Sequence, residues 1–512
     1  MAKTTDQLLV EALQAAKKAE LDNIVQSAAI TAPQRTLLVN KGYLKQIIRG
    51  WYLLDADISQ ERAGESALWF DSIWYFIAQY VETMCGNDYW LSPEASLDIH
   101  TCNNNLPPQI IVYADNSSPR TINLPNGMSL FIASSTNRPY QIEKLNGVNA
   151  HSLESALVLV GPMSFANNIV GTQLAMKMVD ISELTKAVTI KKKLTAGNRL
   201  CGALLAIGRK AEARNLLTTM NTLWPKGVAP VNPYNETPTI LGMNNKESPA
   251  ATRLRILWTN LRDDVCNIFD GHTPDFVFLD RDIKDTLSMI DDIYVTDAYN
   301  SLSIEGYKVT TELIEKVAKG DWSPETIQQD KDAKDTLAAK GYRNAFNKVC
   351  ALLQEAHKSQ EDDLEYLVGV GLTEWANALF QPCVDVGIIK IEDIAGYRKG
   401  PIYIRGSKHV PPASEHIMDC MSALKELISG EENPIVRAIL AHWFIGYIHP
   451  YFDGNGRSAR FLMNFLFVQG GYPWTVVRNS HRSQYMQALE SASVNDDIKP
   501  FAKFIKDCFI TT

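Results

Sequence analysis

A chain of 512 residues is longer than one hydrophobic core supports, and its length points to about three domains. With 46% hydrophobic and 21% charged residues, its make-up is that of a folded globular protein and excludes a disordered or fibrous one. The net charge of −8 excludes wholesale coating of nucleic acid but leaves room for a locally basic module. The eight cysteines (Cys85, Cys102, Cys201, Cys266, Cys350, Cys383, Cys420 and Cys508) are scattered with no CxxC pair. That pattern is the usage of free thiols in a reducing compartment rather than a disulfide framework or a zinc site. The N-terminal run MAKTTDQLLVEALQAAKKAE lacks the unbroken apolar core of a signal peptide, and no segment reaches the about 18 apolar residues of a membrane span. The expectation is a cytoplasmic chain with no membrane partner.

Residues 5–20 carry Leu8, Leu9, Ala12, Leu13 and Ala16 on one helical stripe. A turn follows, then TAPQRTLLVNKG, with Thr31 as N-cap, Pro33 in the first turn and Gly42 as the stop. YLKQIIRGWYLLD reads as two strands hinged at Arg49-Gly50. Helix, turn, helix and hairpin make a winged helix-turn-helix over residues 1–60. Across residues 1–50, seven bases (Lys3, Lys17, Lys18, Arg35, Lys41, Lys45, Arg49) outnumber four acids (Asp6, Glu11, Glu20, Asp22), a net of +3. That asymmetry makes DNA a candidate partner of residues 1–60; packing or dimerisation through the same module is the alternative.

The aromatic run ESALWFDSIWYFIAQYVETM at 65–84 reads as a core helix. Strand-prone runs with Asn, Pro and Gly turns fill 90–150, and helix returns over 150–222, so 61–222 is expected to be mixed α/β. The order KGYLKQIIRGWYLL, helix, YWLSPEASLDIH resembles AbiEi-type antitoxins and regulators. Pro225, Pro230, Pro233, Pro238 and Pro249 interrupt any helix, so 224–249 reads as a connection within a linking region 223–280. From 281 to 512 the chain reads as helix apart from a break near 400–412.

The run HPYFDGNGRSAR, His449–Arg460, lies between two apolar-periodic helices. Pro434 starts the first, Pro450 ends it, and Gly470-Gly471 close the second. Such a run is either a polar turn or a phosphate site. A helix N-terminus offers free N–H groups and the positive end of a dipole, and Gly454 and Gly456 permit consecutive amides to converge on one oxygen. Arg457 and Arg460 share a face of the first turn, Asp453 offers a hard oxygen for Mg²⁺, and His449 is a candidate proton acceptor. His-Pro before the turn and Arg-x-x-Arg after it favour the site.

The run resembles the Fic family signature HPFx[D/E]GNGRxxR at every position but one, with Tyr451 where phenylalanine is usual. KGPIYIRGSKHVPP at 399–412 resembles that family's target-binding flap, a short β-hairpin, with Ile402, Tyr403 and Ile404 at its edge. NSLSIEG at 300–306 resembles the inhibitory motif [S/T]xxxE[G/N], with Ser301, Glu305 and Gly306 in place on an expected helix near 297–310. The fold this implies is mainly α: an all-helical Fic domain with a hairpin flap over 281–512, preceded by the winged helix and the mixed α/β region.

The resemblance implies a protein adenylyltransferase that moves AMP from ATP to a hydroxyl side chain (Ser, Thr or Tyr) of a target protein and of itself. His449 would be the general base and Asp453 the Mg²⁺ ligand. Asn455 with the amides of Gly454 and Gly456 would form the anion hole, and Arg457 and Arg460 would hold the β- and γ-phosphates. Glu305 would pair bidentately with Arg460 and inhibit the free enzyme. Tyr485 is a candidate contact for the base. The resemblance also implies a homodimer. The alternatives are a DNA-binding regulator acting through residues 1–60, or a Fic enzyme that transfers another nucleotide or removes AMP.

Overall fold

The computed structural model describes residues 5–55, 67–115, 117–234, 247–319, 330–359 and 363–510. The chain divides into two units, residues 1–242 with 403–410, and residues 243–402 with 411–512.

The first unit opens with α1 (Thr5–Ala19), β1 (Ile24–Gln26), α2 (Ala32–Asn40), β2 (Leu44–Ile48) and β3 (Trp51–Leu54). The strands form an antiparallel sheet in the order β1-β3-β2. Thr31 begins α2 as expected: Gln34 Oε1 accepts from the Thr31 N–H at 3.1 Å and its hydroxyl at 2.8 Å. Gly42 then takes a φ of 82°, which closes the helix. Strand β1 falls in the stretch expected to be a turn. Ala12, Ala16, Val25, Leu38, Leu44 and Leu54 make this module's own small core.

The remainder of the unit is mixed α/β. Helices α3 (Ala67–Cys85) and α4 (Pro93–His100) accompany β4 (Tyr89–Leu91), β5 (Gln109–Ala114), β6 (Arg120–Asn123) and β7 (Ser129–Ala133). The sheet order is β4-β5-β7-β6, with a parallel β5/β7 pair at its centre. The hairpin β8 (Ile142–Leu145) and β9 (Val148–His151) leads into helices α5 (Leu153–Leu159), α6 (Pro162–Asn167), α7 (Ile169–Met178), α8 (Ile181–Lys191), α9 (Leu194–Ala206) and α10 (Lys210–Leu223). The aromatic run is core: Trp69, Ile73, Phe76, Ile77 and Val81 are buried against the sheet.

The second unit is helical: α11 (Pro249–Ile268), α12 (Ile283–Ile304), α13 (Thr311–Lys319), α14 (Asp330–Ser359), α15 (Leu364–Asp385), α16 (Ile391–Ile394), α17 (Ile417–Gly430), α18 (Pro434–Ile448), α19 (Asn455–Gln469), α20 (Arg482–Asn495) and α21 (Lys499–Ile510). Two sequence boundaries shift. Pro249 opens α11, with Ser248 as its N-cap, instead of closing a loop. Helix α11 packs on α17, α18 and α21, so this unit begins well before residue 281. Pro238 lies outside the described residues.

At the centre stand α18 and α19, whose side chains are buried on nearly every face. Asn433 starts α18, its Oδ1 accepting from the Ile435 and Val436 amides at 3.0 and 3.2 Å. The one amide side chain deep in α19, Asn464, is satisfied at both ends by the Thr475 backbone, at 2.7 and 3.0 Å. Every cysteine is free. No described helix is long and apolar enough to cross a membrane.

Candidate active site

The loop 449–454 joins the two central helices and is built from backbone specials. His449 ends α18 in the left-handed region (φ 52°, ψ 58°), and Gly454 starts α19 there (φ 79°, ψ 7°). Asn455 staples the loop: its Oδ1 accepts from the Tyr451 amide at 2.9 Å, and its Nδ2 donates to the Tyr451 carbonyl at 2.8 Å. Both ends of that side chain are thus committed to the loop. The expected anion-hole role of Asn455 is therefore left to its backbone, because a carboxamide bonded at both ends cannot turn to a ligand.

The first intrahelical bond of α19 runs from the Ser458 amide to the Gly454 carbonyl at 2.9 Å. The amides of Asn455, Gly456 and Arg457 precede it and face the helix N-terminus, where anions are favoured. The Gly454 amide instead donates to Asp453 Oδ1 at 2.5 Å. Glu305 lies over this same turn, its Oε1 2.4 Å from where a Cβ on Gly456 would stand. A Cβ at Gly456 would push the carboxylate aside.

Glu305 is the C-cap residue of α12, and Gly306 (φ 88°) turns the chain away. Arg460 reaches α12 from α19. Its Nη2 donates to Glu305 Oε1 at 2.7 Å and to the Ser301 carbonyl at 3.1 Å, and its Nε donates to Ser301 Oγ at 2.8 Å. Two of the three predicted motif residues, Ser301 and Glu305, thus meet at Arg460, while Gly306 makes the turn that follows them. The pairing differs from the bidentate one expected: Ser301 takes the Nε edge, so the carboxylate meets only Nη2. Burial pushes the Glu305 carboxyl up, but Arg460 and Arg457 outweigh it and hold the group below its ordinary range.

Arg457 is fully buried, with its guanidinium 5.3 Å from the Tyr307 ring centroid and 5.2 Å from that of Phe380. Asp453 lies 3.5 Å from its Nη2. Among the described residues, Arg457 Nε and Arg460 Nη1 are buried donors without a hydrogen-bond partner. Two orphaned cationic donors beside a helix N-terminus fit a polyphosphate.

Mg²⁺ keeps several waters and is usually held by one or two carboxylates together with substrate phosphates. Asp453, with a side chain 59% exposed just ahead of the first amides of α19, is a carboxylate of that kind. Among the described residues no cluster of three or more His, Cys, Asp or Glu forms a closed metal cage.

His449 Nδ1 lies 3.2 Å from the Gly446 carbonyl. A carbonyl only accepts, so Nδ1 carries the proton and Nε2 keeps its lone pair. Burial, reinforced by Arg398, lowers the imidazole to about 4, against smaller upward pulls from the Gly446 bond, Glu305 and Asp453. The ring is therefore neutral at pH 7.

Two predicted elements differ. Residues 401–410 hold neither helix nor strand and turn at Arg405-Gly406, where the Ser407 amide donates to the Ile404 carbonyl at 3.0 Å. The flap is thus not a hairpin. Tyr403 belongs to the first unit and is buried with its ring 5.5 Å from Phe70, while Ile402 and Ile404 are half-buried. The Leu106 amide donates to the Lys408 carbonyl at 3.3 Å, so backbone pairing goes to that neighbour. Tyr485 is core: it is buried, and its hydroxyl lies 2.9 Å from His442 Nε2.

Sequence reasoning missed Arg398, Tyr307 and Phe380. Each meets the motif only through chain contacts that no local pattern encodes.

Residues 372–467 match the Fic/DOC family. Over 116 residues the chain is 36% identical to the protein adenylyltransferase Fic of Culex quinquefasciatus and 38% identical to that of Drosophila grimshawi. Each alignment covers 22% of this chain and 23% of the relative, so the chain spans about a quarter of the relatives' length. Among solved structures, a Fic-1 fragment from C. elegans is 16% identical with a TM-score of 0.36, covering 69% of this chain and 95% of the fragment. A Fic domain-containing signalling protein from Bacteroides thetaiotaomicron is 19% identical with a TM-score of 0.35, covering 51% and 93%. The match of 372–467 encloses the whole His449–Arg460 loop, and the chain carries a Fic/DOC family domain.

Proposed function

We propose that the chain is an autoinhibited protein adenylyltransferase, moving AMP from ATP to a hydroxyl side chain of a target protein and of itself. The observation that carries this reading is the convergence on one loop of a neutral His449, the three leading amides of α19, and two buried arginine donors without a partner among the described residues. The hydroxyl oxygen attacks the α-phosphorus, the bond from that phosphorus to the β-phosphate's bridging oxygen breaks, and pyrophosphate leaves. His449 Nε2 takes the hydroxyl proton. The α19 amides, Arg457 and Arg460 hold the phosphates, and charge stabilisation by fixed donors is most of what this chemistry asks of a protein. Mg²⁺, held by Asp453, would neutralise phosphate charge.

Glu305 supplies the inhibition: it holds an anion's place over Gly456 and on Arg460, so a γ-phosphate must displace it. Transfer of another nucleotide uses the same groups and is separated by the same assay. The Glu305→Gly protein is incubated with each nucleoside triphosphate and Mg²⁺, and mass spectrometry then reads the added mass and the modified residue. The reading expects an AMP adduct from ATP. No adduct from any triphosphate would overturn it.

A DNA-binding role for residues 1–60 is the second reading, supported by the α–β–α–β–β order and the β1-β3-β2 sheet. Two of its bases are engaged internally, Arg35 with the Ser27 carbonyl at 3.0 Å and Lys45 with Asp55 at 3.4 Å. A gel shift of the full chain that weakens steeply with salt would support it. No shift at low salt would end it.

A further inference from the structure

Arg398 belongs to no motif, yet its side chain and backbone together bond three consecutive carbonyls, those of Ile448, His449 and Pro450, where α18 gives way to the loop. It is 8% exposed. Its Nε donates to the His449 carbonyl at 2.8 Å, and its Nη2 reaches toward the Ile448 carbonyl at 3.5 Å. Its backbone amide donates to the Pro450 carbonyl at 2.9 Å. The other edge of the guanidinium turns the opposite way, with Nη1 on the Gly400 carbonyl at 2.7 Å and Nη2 on the Pro412 carbonyl at 2.6 Å.

The last carbonyls of a helix have no intrahelical partner, and a cation at that end is favoured. Ile448 and His449 carry such carbonyls at the end of α18. His449 also sits at φ 52°, a region that side chains with a Cβ rarely adopt and that persists only where the surroundings hold it. The rigid five-donor fork of arginine can satisfy several carbonyls in fixed directions at once, which the point charge of lysine cannot.

We propose that Arg398 is the positioning residue of His449. It fixes the left-handed turn that presents the imidazole, and it ties that turn to both ends of the 400–412 segment. The inference rests on the reading of His449 as the proton acceptor.

The test places Arg398→Gln and Arg398→Lys in the full-length Glu305→Gly protein. Three quantities are read: the self-modification rate with labelled ATP, the affinity for ATP, and the crystal structure. Misplacing a reacting group by about 1 Å costs on the order of 100-fold in rate, so Arg398→Gln should lose that much while ATP affinity is unchanged. Arg398→Lys should recover part of the rate, a graded rescue that generic destabilisation would not give; it also serves where the Gln variant does not fold. His449 should leave the left-handed region in the Arg398→Gln crystal structure. An unchanged rate, or rate and ATP affinity falling together, overturns the inference. If Glu305→Gly alone transfers nothing, the transferase reading falls, and the crystal structure decides for Arg398: His449 still left-handed overturns the positioning role.

Discussion

Glu305 and Arg460 meet through one short contact, Oε1 to Nη2 at 2.7 Å, at the end of a guanidinium whose other edge is already held by Ser301. Arg460 is 3% exposed and Glu305 28%, so the pair is partly dry but open on the carboxylate side. A partner that leaves toward solvent suits a switch better than a sealed pair does. A charged hydrogen bond of this kind contributes about 1.5–3 kcal/mol, so losing it should raise transfer by about 10- to 100-fold. Glu305→Gly should therefore accelerate self-modification from labelled ATP by that order. A rate equal to that of the unaltered chain would remove Glu305 from regulation.

His449 gives a pH prediction with a definite sign. Its folded value is about 4, below the ordinary 6.5, so the neutral base persists until the pH falls through 4. Glu305 pulls the imidazole upward, and its removal leaves the acid limb no higher. Initial rates of the Glu305→Gly protein should show no His449 limb between pH 7 and about 5.5. A half-maximal rate at 6.5 would contradict the burial of the imidazole, and full transfer by His449→Ala would contradict its role.

The central loop was legible in the sequence because its parts are local. Pro434, Pro450 and the two glycine stops bound the helices, and the apolar runs between them fill α18 and α19. Thr31, Pro33 and Gly42 likewise announced α2. Strand β1 was not legible, because three residues give no period to read. The flap was misjudged for a different reason. It was read from the resemblance of 399–412 alone, but Tyr403 is buried near Phe70 and the Lys408 carbonyl is taken by Leu106. Asn455 and Ser301 carry motif positions that the sequence marks, yet their bonding left no mark in it. Which atoms of a side chain remain free depends on neighbours such as Tyr451 and Arg460, distant contacts that spacing does not encode. Arg398 left no local signal at all.

Glu431 should matter for stability although it is far from any motif. Its carboxylate accepts from Arg262 Nε at 3.1 Å and Nη2 at 3.0 Å, from Trp258 Nε1 at 3.2 Å and from the Asn433 amide at 3.1 Å. These bonds tie α11 to the turn that starts α18. Burial pushes its carboxyl up, but Arg262, the Asn433 amide and Trp258 outweigh that and hold it below the ordinary range. A depressed carboxyl contributes stability that is present above its unfolded value and lost as pH falls through the folded one. Glu431→Ala orphans the Trp258 and Asn433 donors; Arg262 is 39% exposed and recovers water, so the loss should be about 2–3 kcal/mol. Urea unfolding at pH 7 should show the lower midpoint, and the gap from the unaltered chain should narrow on acidification. Equal midpoints at pH 7 would count against the tie.

Tyr451 makes the opposite prediction. Its ring is buried, 5.8 Å from the Tyr397 ring, where the Fic signature usually has phenylalanine. Among the described residues its hydroxyl has no hydrogen-bond partner. Burial drives that hydroxyl far above the ordinary tyrosine value, with Tyr397 adding to the rise, so it stays protonated and contributes no charge. An unpaired buried polar group costs about 1–3 kcal/mol, while the ring's packing does not need the oxygen. Tyr451→Phe removes the unpaired group and leaves the Asn455 staple intact, because that staple uses only the Tyr451 backbone. The variant should be more stable by about 1 kcal/mol, seen as a higher urea midpoint at unchanged slope. A lower midpoint would mean that the hydroxyl is satisfied in solution by a group outside the described residues or by a held water.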